Sequence, residues 1–382
     1  MGPNATSLLA AIVLILVVMA AAFYLAGRRE NGETYWRSWC LANLLIASAV
    51  VIFILERQVP LWLVATLPNA LLVLGYAMRW RAARQFAGRA VPAVVILGPA
   101  SAFGVLCAGS VLWDSLGSVF SASNLVLAAL AGTVASEFWR DRADRLPSRY
   151  VLIAAYVVAA LFFLVRAVQV VFFDGLRFEE APQQQWLEIH LMIAILHAVG
   201  TGAFALSLAY ERGAARLRYA ATHDSLTGLM NRGAFEALAR QRIERGDGRF
   251  AFALLDIDHF KSINDLYGHA AGDTALRTCA EVCQQQLRAS DIIARVGGEE
   301  FAFILDDVSL EEAAAVMERI RRAVAERIIK IEDRQVVLTV SGGLCHADGC
   351  ADTLDAVMHL VDDKLYEAKR GGRNRIVQAM AA

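Results

Sequence analysis

The chain has 382 residues, is 57% hydrophobic, and combines a mean hydropathy of +0.45 with a formal net charge of −1. That composition excludes a purely soluble protein, and the near-zero charge leaves no global field to recruit nucleic acid. The six cysteines (Cys40, Cys107, Cys279, Cys283, Cys345 and Cys350) form no metal-finger spacing. They read as ordinary reduced packing thiols.

No lysine occurs in the first 210 residues, where long apolar stretches dominate; all the lysines lie beyond. About 20 apolar residues cross a bilayer as a helix. Seven stretches qualify, near 7–27, 39–56, 60–78, 91–112, 119–138, 150–172 and 188–210. The first has no positive charge before it and carries Arg28 and Arg29 after it, the reverse of a secretory signal. It therefore reads as a retained anchor with the N-terminus outside. The loops expected inside hold 14 arginines, among them Arg79, Arg84, Arg89, Arg140 and Arg149, against Arg57 and Arg177 outside. This positive-inside bias puts residue 211 onward in the cytoplasm, at the inner membrane.

Polar groups inside spans are costly and deserve separate notice. Arg166 and Gln169 fall in the sixth, and Glu188, His190 and His197 in the seventh. The two histidines, seven residues apart, share a helix face, where they could hold a metal or haem or sense pH. The preferred reading is plainer: Arg166 snorkels or pairs with Glu188, and the histidines make interhelical hydrogen bonds. Residues 1–210 thus form an all-α seven-helix membrane sensor domain, and 211–222, without proline, a helical linker.

From 223 to 382 the pattern alternates. Helices are expected at 231–245, 261–267, 271–289, 309–329 and 353–370, and strands at 250–257, 292–295, 300–305, 336–343 and 375–378. This predicts an α/β domain, a mostly antiparallel sheet flanked by helices. Asp256 ends an apolar strand; Glu299 and Glu300 sit at a hairpin turn opened by Gly297 and Gly298. If the two strands are neighbours, the acids converge into a pair of hard oxygen ligands suited to Mg²⁺ and to phosphoryl or nucleotidyl transfer. A surface turn of solvated acids is the other reading of this spacing.

RVGGEEF at 295–301 resembles the signature of the GGDEF family of diguanylate cyclases. HDSLTGLMNR at 223–232, DIDHFKSINDLYGHAAGDTAL at 256–276 and LYEAKRGGRNR at 365–375 are similar to its other segments, in order and spacing. The resemblance implies a palm-like catalytic fold and an enzyme, a nucleotidyltransferase converting two GTP into cyclic di-GMP and two pyrophosphates. It implies Mg²⁺, with Mn²⁺ as a substitute, on the side chains of Asp256 and Glu299 and the carbonyl of Ile257. Glu299 would assist removal of the 3′-hydroxyl proton, Glu300 support the site, and Lys261 stabilise the transition state. Lys369 and Arg373 would hold the triphosphate, and Asn264, His269 and Asp273 contact the nucleotide, beside Gly297 and Gly298. A carboxylate at 273 accepts from guanine N1–H and its amine, which adenine cannot offer, so GTP is favoured over ATP. Arg288 and Asp291, an RxxD ahead of the signature, would bind cyclic di-GMP as a product-inhibition site, with Arg319 as a secondary contact. Glu299 stands where the commoner family form has Asp, with the same charge. Since one domain holds one GTP, a homodimer is expected. The alternative is a catalytically silent receptor for GTP or cyclic di-GMP.

Overall fold

The computed structural model describes residues 3–29, 33–112, 116–172, 181–245, 249–331, 334–346 and 353–379. Two compact units divide the chain, Met1–Gly213 and Ala214–Ala382. The outer-loop reading at Arg177 and the thiol reading of Cys350 lie outside the described residues.

The first unit is helical: α1 (Pro3–Arg29), α2 (Tyr35–Ile54), α3 (Leu61–Phe86), α4 (Val94–Leu112), α5 (Leu116–Arg140), α6 (Pro147–Phe172) and α7 (Ala181–Thr222). Six of these, all but α4, are long and apolar enough to cross a membrane. Of the seven expected spans, the fourth is not shown among the described residues. In α4 the described apolar stretch is only Val94–Cys107, and the helix carries Pro99. A correction concerns the arginines. Arg79 and Arg149, expected in loops, lie within helices and are each only 2% exposed. Arg149 pairs with Asp144 and Asp141, while Arg84 and Arg89 meet on buried Glu137. His197 does make an interhelical bond, its Nε2 lying 3.2 Å from the Tyr76 hydroxyl. No ion pair joins Arg166 to Glu188 among the described residues.

The second unit contains β1 (Met230–Asn231), α8 (Arg232–Arg245), β2 (Phe250–Ile257), α9 (Phe260–Tyr267), α10 (His269–Gln285), β3 (Ile292–Arg295), β4 (Glu300–Asp306), α11 (Leu310–Glu326), β5 (Ile328–Ile331), β6 (Arg334–Val337), β7 (Val340–His346), α12 (Leu354–Arg370) and β8 (Ile376–Gln378). The main sheet runs β1-β3-β4-β2-β7-β8, with β5-β6 as a separate hairpin. The inner ladders are antiparallel, but β1 on β3 and β8 on β7 are parallel, so the sheet is mixed rather than mostly antiparallel. The outermost β8 returns through α12, and such a helical crossover produces parallel pairing.

All eight residues of β2 are buried because helices cover both faces of the sheet. Its period-2 alternation sorts the two cores. Ala251, Ala253, Leu255 and Ile257 join the core built with α9, α10 and α11, whereas Phe250, Phe252 and Leu254 join the core under α8 and α12. Asp256 continues the second series and so faces α12. The predicted strand 336–343 is in fact two strands, because the chain breaks between Val337 and Val340. Helix α11 is fixed by a reciprocal cap: the Glu312 amide donates to Ser309 Oγ at 3.2 Å, and the Ser309 amide to Glu312 Oε2 at 2.7 Å. Cys279 and Cys283 are free and buried, as expected, but Cys345 is disulfide-bonded and not a reduced thiol. Cys345 is nonetheless buried, in the core under α8 and α12.

Candidate active site

The β2–β4 register sets Asp256 opposite Glu300, and the β2–β7 register sets it opposite Ser341. One residue on, the Ile257 amide donates to the Glu299 carbonyl at 3.3 Å, tying the turn to the end of β2. Helix α12 brings Lys369 onto this end, its Nζ 2.8 Å from Asp256 Oδ2. Burial pushes the Asp256 carboxyl upward, and the Lys369 ammonium offsets this only in part. Glu299 is likewise raised, first by burial and then by the negative charge of Asp256, against the pull of Lys369. The repulsion that Glu299 feels from Asp256 is the electrostatic mark of two acids near one corner.

The turn itself is shaped by glycine. The Val296 amide donates to the Glu300 carbonyl at 3.0 Å, and the Glu300 carboxylate lies over Gly297, where a Cβ would collide with it. Gly298 faces open space. Arg295 closes the turn from below, donating from Nη2 to the Gly298 carbonyl at 2.7 Å and from Nη1 to Asp224 at 3.1 Å. Burial would raise the Asp224 carboxyl, but the Thr227 hydroxyl and amide, together with Arg295, outweigh it and hold it below the usual range. A depressed acid stabilises the fold above its unfolded pKa and loses that contribution as pH falls through its folded value. Asp224→Asn should therefore lower Tm at pH 7 by about 3 °C, near ~1 kcal/mol for a domain of this size. The gap from wild type should narrow as pH approaches 3, which scanning calorimetry of the detergent-solubilised chain can follow.

The remaining expected residues group differently. Lys261 and Asn264 lie on α9, and His269 and Asp273 on α10, with Gly268 (φ +82°) turning the chain between them. Gly272 leaves room for the Asn264 side-chain oxygen. Lys261 is exposed and forms no ion pair with Asp256 or Glu299 among the described residues. Asp273 is half-exposed, 4.0 Å from Arg277. Arg373, just past α12, is close enough to lower the Asp256 carboxyl. Arg288 and Asp291 lie at the opposite end of β3 from the Gly297–Gly298 turn. There Asp291 accepts from the Arg288 amide at 2.8 Å and from the Asp306 amide at 3.3 Å, while the Arg288 side chain is exposed. Arg319 donates to the Gln286 carbonyl at 2.7 Å.

Three contributors were not foreseen: Asp224, Arg295 and Asp258. All three lie inside the motifs quoted above, yet neither the Asp224–Arg295 pairing nor the burial of Asp258 is visible in spacing. Among the described residues no cluster of three or more His, Cys, Asp or Glu could hold a metal. Asp256, Glu299 and the Ile257 carbonyl nevertheless suit a hard divalent cation completing its shell with phosphate and water.

Residues 221–375 match the family model described as "Diguanylate cyclase, GGDEF domain". The chain is 41% identical over 162 residues to Diguanylate cyclase DgcP of Pseudomonas aeruginosa, covering 42% of this chain and 24% of that protein. It is 37% identical over 198 residues to Uncharacterized protein YhcK of Bacillus subtilis, covering 50% of this chain and 55% of that one. The chain thus spans about half or less of the curated relatives it matches. Among solved structures, the coiled coil and GGDEF domain of DgcB from Caulobacter crescentus, in complex with c-di-GMP, is 34% identical, with 48% of this chain and 99% of that chain covered and a TM-score of 0.45.

Proposed function

We propose that this chain, whose C-terminal part is a GGDEF diguanylate cyclase domain behind six long apolar helices, joins two GTP molecules into cyclic di-GMP and two pyrophosphates. One observation carries the reading: Asp256 and Glu299 lie at neighbouring strand ends, where the charge of Asp256 raises the Glu299 carboxyl and Lys369 reaches Asp256 at 2.8 Å. Asp256, Glu299 and the Ile257 carbonyl would hold Mg²⁺ or Mn²⁺. Bound there, the ion would neutralise phosphate charge and acidify the attacking 3′-hydroxyl.

Glu299 accepts the 3′-hydroxyl proton, and Glu300 braces the turn against Gly297. Lys369 exchanges its bond to Asp256 for one to the triphosphate, and Arg373 and Lys261 add positive charge where negative charge grows. Asp273 reads the guanine edge, with Asn264 and His269 on the same helical pair. Each domain supplies one GTP, so two copies meet face to face, and each 3′-hydroxyl attacks the other nucleotide's α-phosphate.

The helical unit would set how often the two domains meet, through the continuous helix α7. With the N-terminus outside and the catalytic domain in the cytoplasm, an odd number of crossings is needed. The 19 residues of α4 extend roughly 28 Å, near the ~30 Å hydrocarbon thickness, and would supply the seventh.

Full-length protein in membranes, given GTP and Mg²⁺, should yield cyclic di-GMP on chromatography. Nucleotide binding without product would instead favour the silent receptor. Arg288 and Asp291 are proposed to bind the product. Arg288→Ala should raise the cyclic di-GMP concentration for half-inhibition about tenfold, the loss of ~1.4 kcal/mol of binding. An unchanged inhibition curve removes the site.

A further inference from the structure

The buried and half-buried arginines of the helical unit differ in their partners. Arg149, Arg84 and Arg89 all meet carboxylates. Arg79, as buried as Arg149, has no carboxylate partner among the described residues. It donates from Nη1 to His197 Nε2 at 3.1 Å and from Nη2 to Asn43 Oδ1 at 3.3 Å. Its Nε is buried without an acceptor. A guanidinium only donates and does not lose its proton, so His197 accepts as a neutral ring. Among the described residues the positive charge is therefore met by neutral groups: these two acceptors, the nearby Tyr156 hydroxyl, and the rings of Tyr76 and Trp39, 5.1 and 6.0 Å from the guanidinium carbon. An uncompensated charge among membrane helices is costly and marks a candidate ligand site.

Arg79 lines a cavity of about 710 Å³ inside this unit, bordered by side chains of α1, α2, α3, α5, α6 and α7. The volume falls in the ~300–1,000 Å³ range of small-molecule pockets. Its walls are apolar, with Leu16, Ile46, Leu127 and Phe163 among them. Among the described residues its ionisable lining is Arg79, Arg166, His190, His197 and Tyr76, with no Asp or Glu. Cations without an acid call for an anion, and the walls call for a hydrocarbon tail. At roughly 30 Å³ per heavy-atom-sized group, the liquid share of one water, the space holds on the order of twenty groups. That fits one acyl chain with its head, and is too small for a two-tailed phospholipid.

We propose that the cavity binds a single-chain fatty carboxylate, its head accepting from Arg79 Nε and its tail lying along the apolar wall. The site is argued from the helical unit alone and does not depend on the cyclase reading.

The test uses the full-length chain purified in detergent and reads binding only, by native mass spectrometry and thermal shift. The probe is dodecanoate, compared with dodecanol and with phosphatidylglycerol. Dodecanoate should give a saturable one-to-one adduct and a higher Tm, and neither comparison compound should compete. Arg79→Gln should weaken dodecanoate binding at least about tenfold, and Arg79→Lys should retain part of it. Equal binding of dodecanol, displacement by phosphatidylglycerol, full binding by Arg79→Gln, or no adduct with wild type would each overturn the proposal. The alcohol comparison needs no variant, so it decides even if the Arg79 variants fail to fold.

Discussion

Asp256→Asn is expected to reduce cyclic di-GMP formation about a hundred- to a thousandfold, the scale seen when a preorganised electrostatic group is removed from an active site. Asparagine keeps the shape of the side chain and deletes its charge. The position is fixed on both sides by β-ladders to Glu300 and Ser341, so little rearrangement can bring another acid into its place. Asp256 is only 4% exposed, and Lys369 bonds to it at 2.8 Å. The variant therefore removes an oxygen ligand and frees the lysine in one step. Lys369 remains a third exposed and can turn to water, which limits the damage to the fold. Burial already disfavours the ionised Asp256, so the neutral amide costs less here than at an ordinary ion pair. The expected pattern is a near-complete loss of product with a Tm shift of only a few degrees, read by chromatography of product and by calorimetry on the same membrane preparation. Glu299→Gln should behave similarly. Product formation above a tenth of the wild-type rate in either variant would remove the two-carboxylate account.

The strand and turn that carry these acids were legible because their signals are local. Six apolar residues running into an acid at 250–256, and two glycines before two glutamates at 297–300, fix a strand and a hairpin with no need of the rest of the chain. Three other features rest on contacts that spacing does not carry. Ile328 and Ile329 fall at the tail of the helix expected over 309–329, because a short apolar run fits either period; pairing of Ile328–Ile331 with Arg334–Val337 makes the segment a strand. The short Met230–Asn231 strand rests on its parallel contact with Ala294 and Arg295 and on an antiparallel bridge from Met230 to His223. Arg79 looked like a loop residue because an arginine ends a hydropathy window, yet α3 runs on to Phe86 and packs it inside. The acidic corner was therefore readable in the letters, while the buried charge of the helical unit became visible only when the helices were assembled.

The same limit hid Asp258, and it gives the second large effect. Two residues past Asp256, it has no role assigned from the sequence; in the structure it is 5% exposed. Its Oδ1 accepts from Ser341 Oγ at 2.8 Å, and its Oδ2 accepts from Thr339 Oγ1 at 2.8 Å and from the Asn374 amide at 3.0 Å. Its own amide donates to the Thr339 carbonyl at 2.9 Å. The carboxylate thus joins the end of β2, the break before β7 and the segment after α12. That segment is demanding: Arg373 and Asn374 both take positive φ, 62° and 47°, in the left-handed region that side chains other than glycine seldom occupy. Asn374 also accepts from Arg321 Nη1 at 2.6 Å. Asp258→Ala leaves three donors without their acceptor at a buried junction, and each unsatisfied buried group costs roughly 1–3 kcal/mol. Allowing for relaxation toward water at the exposed Asn374, the net loss should be about 3 kcal/mol, a fall in Tm of about 6–12 °C. Arg373 is adjacent to the freed amide, so the variant should also raise the KM for GTP at temperatures where it stays folded. A melting temperature within about 2 °C of wild type would mean that the junction holds without the carboxylate, and that Arg373 is positioned by α12 alone.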